Sequence, residues 1–416
     1  MKKSYFVAAG LVAALGVQAG EMEKRGIKVG ERMTLRPYVS MSYTYDSNID
    51  SGKHSKAGSQ WMIKPGLHAD YLAENWKLTG HVWYDYHAYN HYTSQLNQSS
   101  FGEQLGFDYA NSEANEAGWR INLSEQFRQI AQDDDMSNSG GRGIGRDRKE
   151  FTASGVIERR INEHWHGGLT GSYYLLDYDN NVDKYASLYG WKRLTTGAEF
   201  GYTASKWTDL IVAADYQWYW QDNSSNHDVT EAAAKGRHIS SDSEGFSLMG
   251  GIGTHATERI SYKVLAGWSR FDYGGGAKEI NGWTYRATAD WKVSDTMTLA
   301  LLGSSYYQPS EREYGSALKV NTVSLGLAKS FIRGKLRGTV DLAYRRGTHE
   351  YTEYAANDYD EDIWTARVGL SYTLNRYFDI FGNIEYQDEE TEGGSGIGHK
   401  YDYDRWRGTV GVRLTY

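Results

Sequence analysis

From Trp406 to Tyr416 the side chains alternate strictly. Trp406, Gly408, Val410, Val412, Leu414 and Tyr416 form one set; Arg407, Thr409, Gly411, Arg413 and Thr415 form the other. Successive residues of a strand point to opposite faces, so this period of two predicts a strand with one apolar and one polar face. The pattern recurs at Leu35-Pro37-Val39-Met41-Tyr43-Tyr45, at Trp61-Ile63-Pro65-Leu67-Ala69-Tyr71 and at Trp76-Leu78-Gly80-Val82-Tyr84-Tyr86. Further cases start at Trp119, Trp207, Ile260, Trp283, Leu336 and Trp364. About 18 such segments of roughly 10 to 14 residues are predicted, where a tilted membrane strand needs about 9 to 11.

The connections sort by length. Residues 73–75, 111–116, 162–164, 204–206, 256–258, 294–296, 333–334 and 375–376 read as short turns. Residues 46–59, 90–98, 130–148, 178–188, 221–241, 273–282, 308–318, 347–361 and 388–404 read as long loops. Trp76, Trp119, Trp165, Trp207 and Phe378 follow short turns; Tyr45, Trp61, Tyr86, Trp191, Trp220, Phe246, Trp283, Tyr307, Trp364 and Trp406 border long loops. Two such rows suit the two headgroup regions of a bilayer. The reading is an all-β fold: a single transmembrane antiparallel β-barrel of about 18 strands, with 16–18 admissible, and both termini periplasmic. A soluble sandwich or propeller alternates too, but has no reason to sort turns by length or aromatics by strand end.

Composition supports export. Lys2 and Lys3 precede an apolar stretch over 5–16, and Val17-Gln18-Ala19 offers small residues for cleavage, so residues 1–19 read as a signal peptide. Residues 20–32 read as a short periplasmic segment and 33–416 as the barrel. The chain has no Cys, so stability in an oxidising compartment must come from hydrogen-bonded closure instead of disulfides. No stretch of about 18 apolar residues offers a transmembrane helix. These features place the chain in the bacterial outer membrane, with outer-membrane lipid and the insertion machinery as its partners; the terminal aromatic Tyr416 resembles the signal that machinery reads.

The stretch Tyr43-Thr44-Tyr45-Asp46-Ser47-Asn48-Ile49 resembles the Y-x-Y-D-S-N-I segment of an outer-membrane β-barrel porin family associated with exopolysaccharide gene clusters. The signal peptide and barrel pattern extend that likeness along the whole chain. The resemblance implies an outer-membrane channel, with polysaccharide as a candidate cargo, and brings no catalytic residue.

A barrel of about 18 strands encloses an aqueous channel unless something plugs it. The inward set holds about 16 basic against about 10 acidic residues, which lowers the barrier for anions. The pore-lining candidates are Arg36, Lys64, Arg120, Arg128, Arg160, Arg286, Arg337, Arg345, Arg367, Arg405 and Arg413. Trp83, Tyr174 and Tyr219 offer rings for stacking on sugars. The competing expectation is that these charges pair across strands and only keep the wall wet. The net charge is −8, so the acidic excess is expected in loops such as Asp133–Asp135, Asp358–Asp362 and Asp388–Glu390.

Other chemistry finds little support. Loop 130–148 carries a Gly- and Arg-rich stretch that either folds inward or stays on the surface; its spacing departs from a dinucleotide fingerprint. Loop 221–241 carries an Asp cap and an Ala run that predict a helical turn or two. Asp177-x-Asp179-x-Asn181-x-Asp183, Asp46-x-Asn48-x-Asp50 and Asp358-x-Asp360-x-Asp362 space oxygen ligands at alternate positions but lack the Gly and Glu of a calcium loop. His81, His87, His91, His164 and His166 converge on no evident third ligand. No nucleophile elbow is present. The expectation is a non-enzyme without cofactor or metal: a porin-like channel for small hydrophilic solutes or saccharides with an anion preference. A conduit for exopolysaccharide export and a structural or adhesive barrel without transport are the alternatives.

Overall fold

The computed structural model describes residues 26–48, 57–90, 98–111, 117–130, 148–178, 190–205, 207–221, 242–254, 259–272, 279–309, 316–351, 358–393 and 402–416. Among these residues every element is a strand except a single 3-10 turn at Ile332–Gly334. A short strand β1 (Ile27–Val29) precedes eighteen long ones. The first nine of these are β2 (Met33–Asp46), β3 (Gly58–Leu72), β4 (Trp76–Tyr89), β5 (Gln98–Ala110), β6 (Gly118–Ile130), β7 (Arg148–Arg160), β8 (Trp165–Tyr178), β9 (Trp191–Ser205) and β10 (Thr208–Gln221). The rest are β11 (Asp242–Thr254), β12 (Ile260–Asp272), β13 (Ile280–Ser294), β14 (Met297–Pro309), β15 (Ser316–Phe331), β16 (Leu336–Tyr351), β17 (Tyr359–Thr373), β18 (Phe378–Gly393) and β19 (Tyr403–Thr415).

Each long strand pairs antiparallel with its sequence neighbours, and β19 returns to β2 from Arg407↔Asp46 to Thr415↔Tyr38. That last ladder closes the barrel, which hydrocarbon demands because it offers no partner to a free backbone edge. Where β19 ends, β1 continues along the same edge of β2, with Ile27 opposite Leu35. The registers close with a stagger of about 22 residues, which tilts the strands by roughly 40°.

The outward face is the apolar set read from the sequence. Val39, Met41, Leu169, Leu210, Val212, Leu248, Val368, Ile384 and Val410 are all exposed on it. Left in water, so much apolar surface would cost about 25 cal/mol per Å²; against hydrocarbon it costs nothing. Trp76, Trp119, Trp165, Trp207 and Phe378 are exposed at the turn end, and Tyr45, Trp61, Tyr86, Trp220, Phe246, Trp283, Trp364 and Trp406 at the other. Within the apolar outward band Glu103 lies opposite Phe127, and Glu125 opposite Leu105 and Ala153. Glu125 borders a shallow outer depression whose walls are Leu78, Leu105, Leu123 and Tyr173.

The wall departs from a simple cylinder at β13 and β14. They pair from Ser294↔Met297 to Arg286↔Ser304 and then part. β13 runs on to Ile280, while β14 runs on to Pro309 still paired with β15. The freed end of β14 leans inward. Tyr307 and Ala317 join one buried cluster with Leu176, Trp191, Tyr219, Phe271 and Ile280, which come from β8, β9, β10, β12 and β13. The Tyr219 hydroxyl donates to the Tyr307 carbonyl at 2.9 Å, and the Thr284 hydroxyl donates to the Ser305 carbonyl at 2.5 Å. Residues 305 and 307 have the same parity, so their carbonyls face one edge; side-chain hydroxyls there replace the ladder partners that β13 no longer supplies.

Beside this overlap the inner face is apolar and tightly curved. Ile211, Ala213, Met249 and Leu265 form a second buried cluster. Across β11 and β12 the backbones approach so closely that a Cβ on Gly251 would strike the Val264 carbonyl, and one on Gly267 the Leu248 carbonyl. Glycine is required there by proximity.

Several expectations are corrected. Trp191 and Tyr307 do not belong to the outward girdle; both are buried inside, at 4% and 5% exposure. Trp191 has the inward parity of its strand, and Tyr307 lies on the stretch of β14 that leaves the wall. The acidic runs at Asp360–Asp362 and Asp388–Glu390 lie within β17 and β18, where the strands run longer than the sequence pattern indicates. Residues 131–147, 222–241 and 179–189, with the inward-loop, helical-turn and Asp179–Asp183 readings they carry, lie outside the described residues, as does the signal segment.

Candidate functional site

Contacts between strands that are not neighbours identify the inner face. Lys263 on β12 reaches Glu199 on β9 at 2.6 Å, and Arg286 on β13 reaches Asp215 on β10 at 2.9 Å. A bridge that skips two strands exists only on the concave side of a wall. Parity then carries the assignment around the barrel.

All eleven basic candidates have the inward parity, and most have a carboxylate at hand. Arg36 pairs with Asp70, which Lys77 approaches at 3.8 Å. Lys64 lies 3.6 Å from Asp85 and 5.0 Å from the centre of the Trp83 ring. Arg128 lies 3.9 Å from Glu150, and Arg345 2.7 Å from Glu361. Arg367 donates through Nε to Glu385 at 2.6 Å. Arg160 donates to the Glu163 carbonyl at 2.8 Å and to the Thr203 hydroxyl. Arg405 grips Asp46 with Nε at 2.9 Å from each oxygen. Arg120, Arg337 and Arg413 form no ion pair among the described residues. The cross-strand pairing expected as the competing reading therefore accounts for most of the charge.

Two inward residues not singled out from the sequence, Tyr38 and His68, join His81 and Trp83 in a ladder of rings on β2, β3 and β4. The His68 and His81 rings stack at 3.8 Å, His81 and Trp83 at 4.5 Å, and Tyr38 and His68 at 5.2 Å. The Tyr38 hydroxyl lies 2.9 Å from His81 Nε2. Arg413 places its guanidinium 5.7 Å from the Tyr38 ring and 5.9 Å from that of Phe381. The alternation predicts the inward parity of these rings, but their meeting depends on the register of three strands. Arg193, buried beside Tyr174 and Trp191, and Arg148, 2.8 Å from Glu150, also escape a sequence reading. Trp83 remains partly accessible, but Tyr219 is 1% exposed, so it offers no ring to a solute.

The closing seam explains part of the Asp46-Ser47-Asn48 motif. Asp46 receives Arg405, with Arg407 at 3.8 Å, and Arg407 reaches Glu385 at 3.6 Å. Ser47 exchanges bonds with Trp406: its N–H donates to the Trp406 carbonyl at 2.9 Å, and its hydroxyl accepts from the Trp406 N–H at 2.7 Å. The Asn48 amide donates to the Asp404 carbonyl at 3.1 Å. Three consecutive residues at the end of β2 thus bind the start of β19.

The interior is graded from end to end. Near the long connections the inward side chains are buried: Asp46, Tyr89, Arg148, Arg193, Tyr219, His349, Glu361, Glu389 and Arg405. In the turn-side half Gln104, Asn122 and Arg413 are exposed. The interior is thus open from the turn side at β5, β6 and β19, filled there by Asp209, Ile211, Met249 and Leu265 at β10–β12, and occupied toward the other end. Among the described residues no group of His, Asp and Glu is arranged to hold a metal, and no helix is long and apolar enough to cross a membrane. Asp360 and Asp362 instead take Arg346.

The family described as "Putative beta-barrel porin 2" matches residues 21–416. The chain belongs to this family of porins. No curated protein matches it. Solved structures similar to this porin include the outer membrane protein opdK from Pseudomonas aeruginosa, with a TM-score of 0.42 and 12% identity over 92% of this chain and 99% of that one. The outer membrane channel DcaP of Acinetobacter baumannii gives a TM-score of 0.41 and 11% identity over 94% and 99%. A bacterial polysaccharide outer membrane secretin gives 0.35 and 9% over 91% and 98%. The porin is an outer-membrane protein of bacteria, with its apolar face in the lipid.

Proposed function

We propose that this porin is a narrow, passive path through the outer membrane for small hydrophilic solutes, saccharides included, with a preference for anions. The observation that carries the reading is Arg413. It is exposed on the inner face of the accessible half, holds no ion pair among the described residues, and lies above two aromatic rings. A cation already held by neighbouring carboxylates adds little field to a path; an unpaired one adds its full charge. Arg120 and Arg337 act in the same direction, while the paired candidates keep the wall wet. The ring ladder ending in Trp83 gives a saccharide a face to slide along. Planar-bilayer recording tests the reading. A folded preparation should give discrete conductance steps, with a reversal potential in a KCl gradient displaced toward chloride. The absence of any conductance would refute an open path.

A second reading, a barrel that does not transport, is favoured by one observation: the inward side chains of the loop-side half are buried. Its signature is a folded, heat-resistant barrel without conductance. The test of an exopolysaccharide conduit is the surface polysaccharide of a deletion strain.

A further inference from the structure

We propose that the inward-leaning end of β14 sets the calibre of the path, and that Tyr219 and Thr284 are the positioning residues that hold it there. The inference rests on the channel reading and deepens it.

Three independent observations converge. The β13–β14 ladder stops at Arg286↔Ser304 although both strands continue. The freed β14 edge is held by hydroxyls of the inner wall it overlaps: Tyr219 of β10 on the Tyr307 carbonyl and Thr284 of β13 on the Ser305 carbonyl. Ala317 and Tyr307 are buried against β8, β9, β10, β12 and β13. On the other face of the same hairpin Leu318 and Val320 are buried as well, at 4% and 0% exposure. The β14 end is thus the edge of a sheet that continues through β15 to β16, and a sheet edge buried on both faces lies inside the barrel and not along its circumference. Every strand that leaves the circumference shortens it, and the strand that enters occupies the lumen it leaves.

The arrangement has a paired alternative. A β14 edge that zipped onto Ile280–Tyr285 of β13 would recover ladder bonds and widen the barrel, at the cost of exposing the Tyr307 and Ala317 contacts. Two hydroxyl bonds and a small apolar cluster decide between the two states, which differ by a handful of weak interactions. The inward state is compatible with small residues only: Ala317 is fully buried, and Gly282 lies under the Tyr307 hydroxyl, where a Cβ would approach to 3.0 Å.

The test compares the full-length porin with two variants in planar bilayers. Tyr219→Phe/Thr284→Ala removes both hydroxyl donors and keeps the aromatic ring. Ala317→Trp wedges the hairpin away from the wall. Folding of each is checked by heat-modifiable gel mobility. Calibre is read from single-channel conductance and from the largest polyethylene glycol that still lowers it. The expected result is a rise in conductance of roughly twofold or more and a larger polymer limit in both variants. Folded variants with wild-type conductance and polymer limit would overturn the inference while leaving the channel reading standing. A silent wild type with conducting variants would overturn the open-channel reading and support the inference, because the inward edge then closes the path. Silence in all three would overturn both.

Discussion

Arg405 and Asp46 join the last strand of the barrel to the first. Nε of Arg405 lies 2.9 Å from both Asp46 oxygens, across 359 residues of sequence. Arg405 is 2% exposed and Asp46 5%. Breaking a buried pair on one side leaves the other charge uncompensated, which costs about 3–5 kcal/mol. Asp46→Ala is therefore expected to lower the temperature at which the folded gel band is lost. Asp46→Leu/Arg405→Met, which removes both charges, should recover most of that loss. A single variant as stable as the wild type would show that the seam does not depend on the pair.

On the proposed channel reading, Arg413 sets the sign of the field in the accessible half. Arg413→Glu is expected to reduce the chloride-to-potassium permeability ratio by roughly a factor of two or more, read as a shift of reversal potential in a KCl gradient. Arg367→Gln removes a cation already bound to Glu385 and leaves that carboxylate with Arg407 alone. It should move the ratio less than Arg413→Glu. Equal shifts in the two variants would mean that unpaired charge does not set the preference.

Glu125 faces outward among Leu105, Leu123 and Ala153. A carboxylate on a lipid face is unfavourable, though less so than a buried Lys or Arg. Glu125→Leu is expected to stabilise the barrel by about 1 kcal/mol in urea titrations in lipid vesicles. A fall in stability instead would show that this face meets protein and not lipid.

The β11–β12 corner tolerates no side chain. At Gly267 a Cβ would meet the Leu248 carbonyl and Met249 Cα, both backbone, so no rotamer change relieves the clash. Gly267→Ala should cost about 3 kcal/mol or more and reduce the yield of folded barrel. Gly171, whose Cβ position has nothing within 4 Å, is the control: Gly171→Ala should fold normally. Equal yields would remove the argument that backbone proximity forces the corner.

The sequence by itself determined the barrel, its compartment and its two faces. Period-two alternation is local, and each strand announces its lipid side because hydrocarbon accepts no other. The strand number, the antiparallel order and the return of β19 to β2 near Tyr38 follow from repeating that signal under the rule that no edge stays open. The inward parity of Arg36, Lys64 and Arg413 was legible for the same reason. Which of those charges are paired was not, because pairing depends on register: Arg286 meets Asp215 from three strands away, a distance the sequence does not encode. Tyr307 shows the limit most clearly. It stands at a strand end where a girdle residue is expected and is buried inside, whereas Trp191 has the inward parity that alternation already gives it. The ladder between β13 and β14 stops after Ser304, and a strand that leaves its neighbour exchanges the face it would have shown to lipid for one packed on the opposite wall. Alternation fixes which face a side chain takes on its own strand; only the tertiary structure decides where that strand goes.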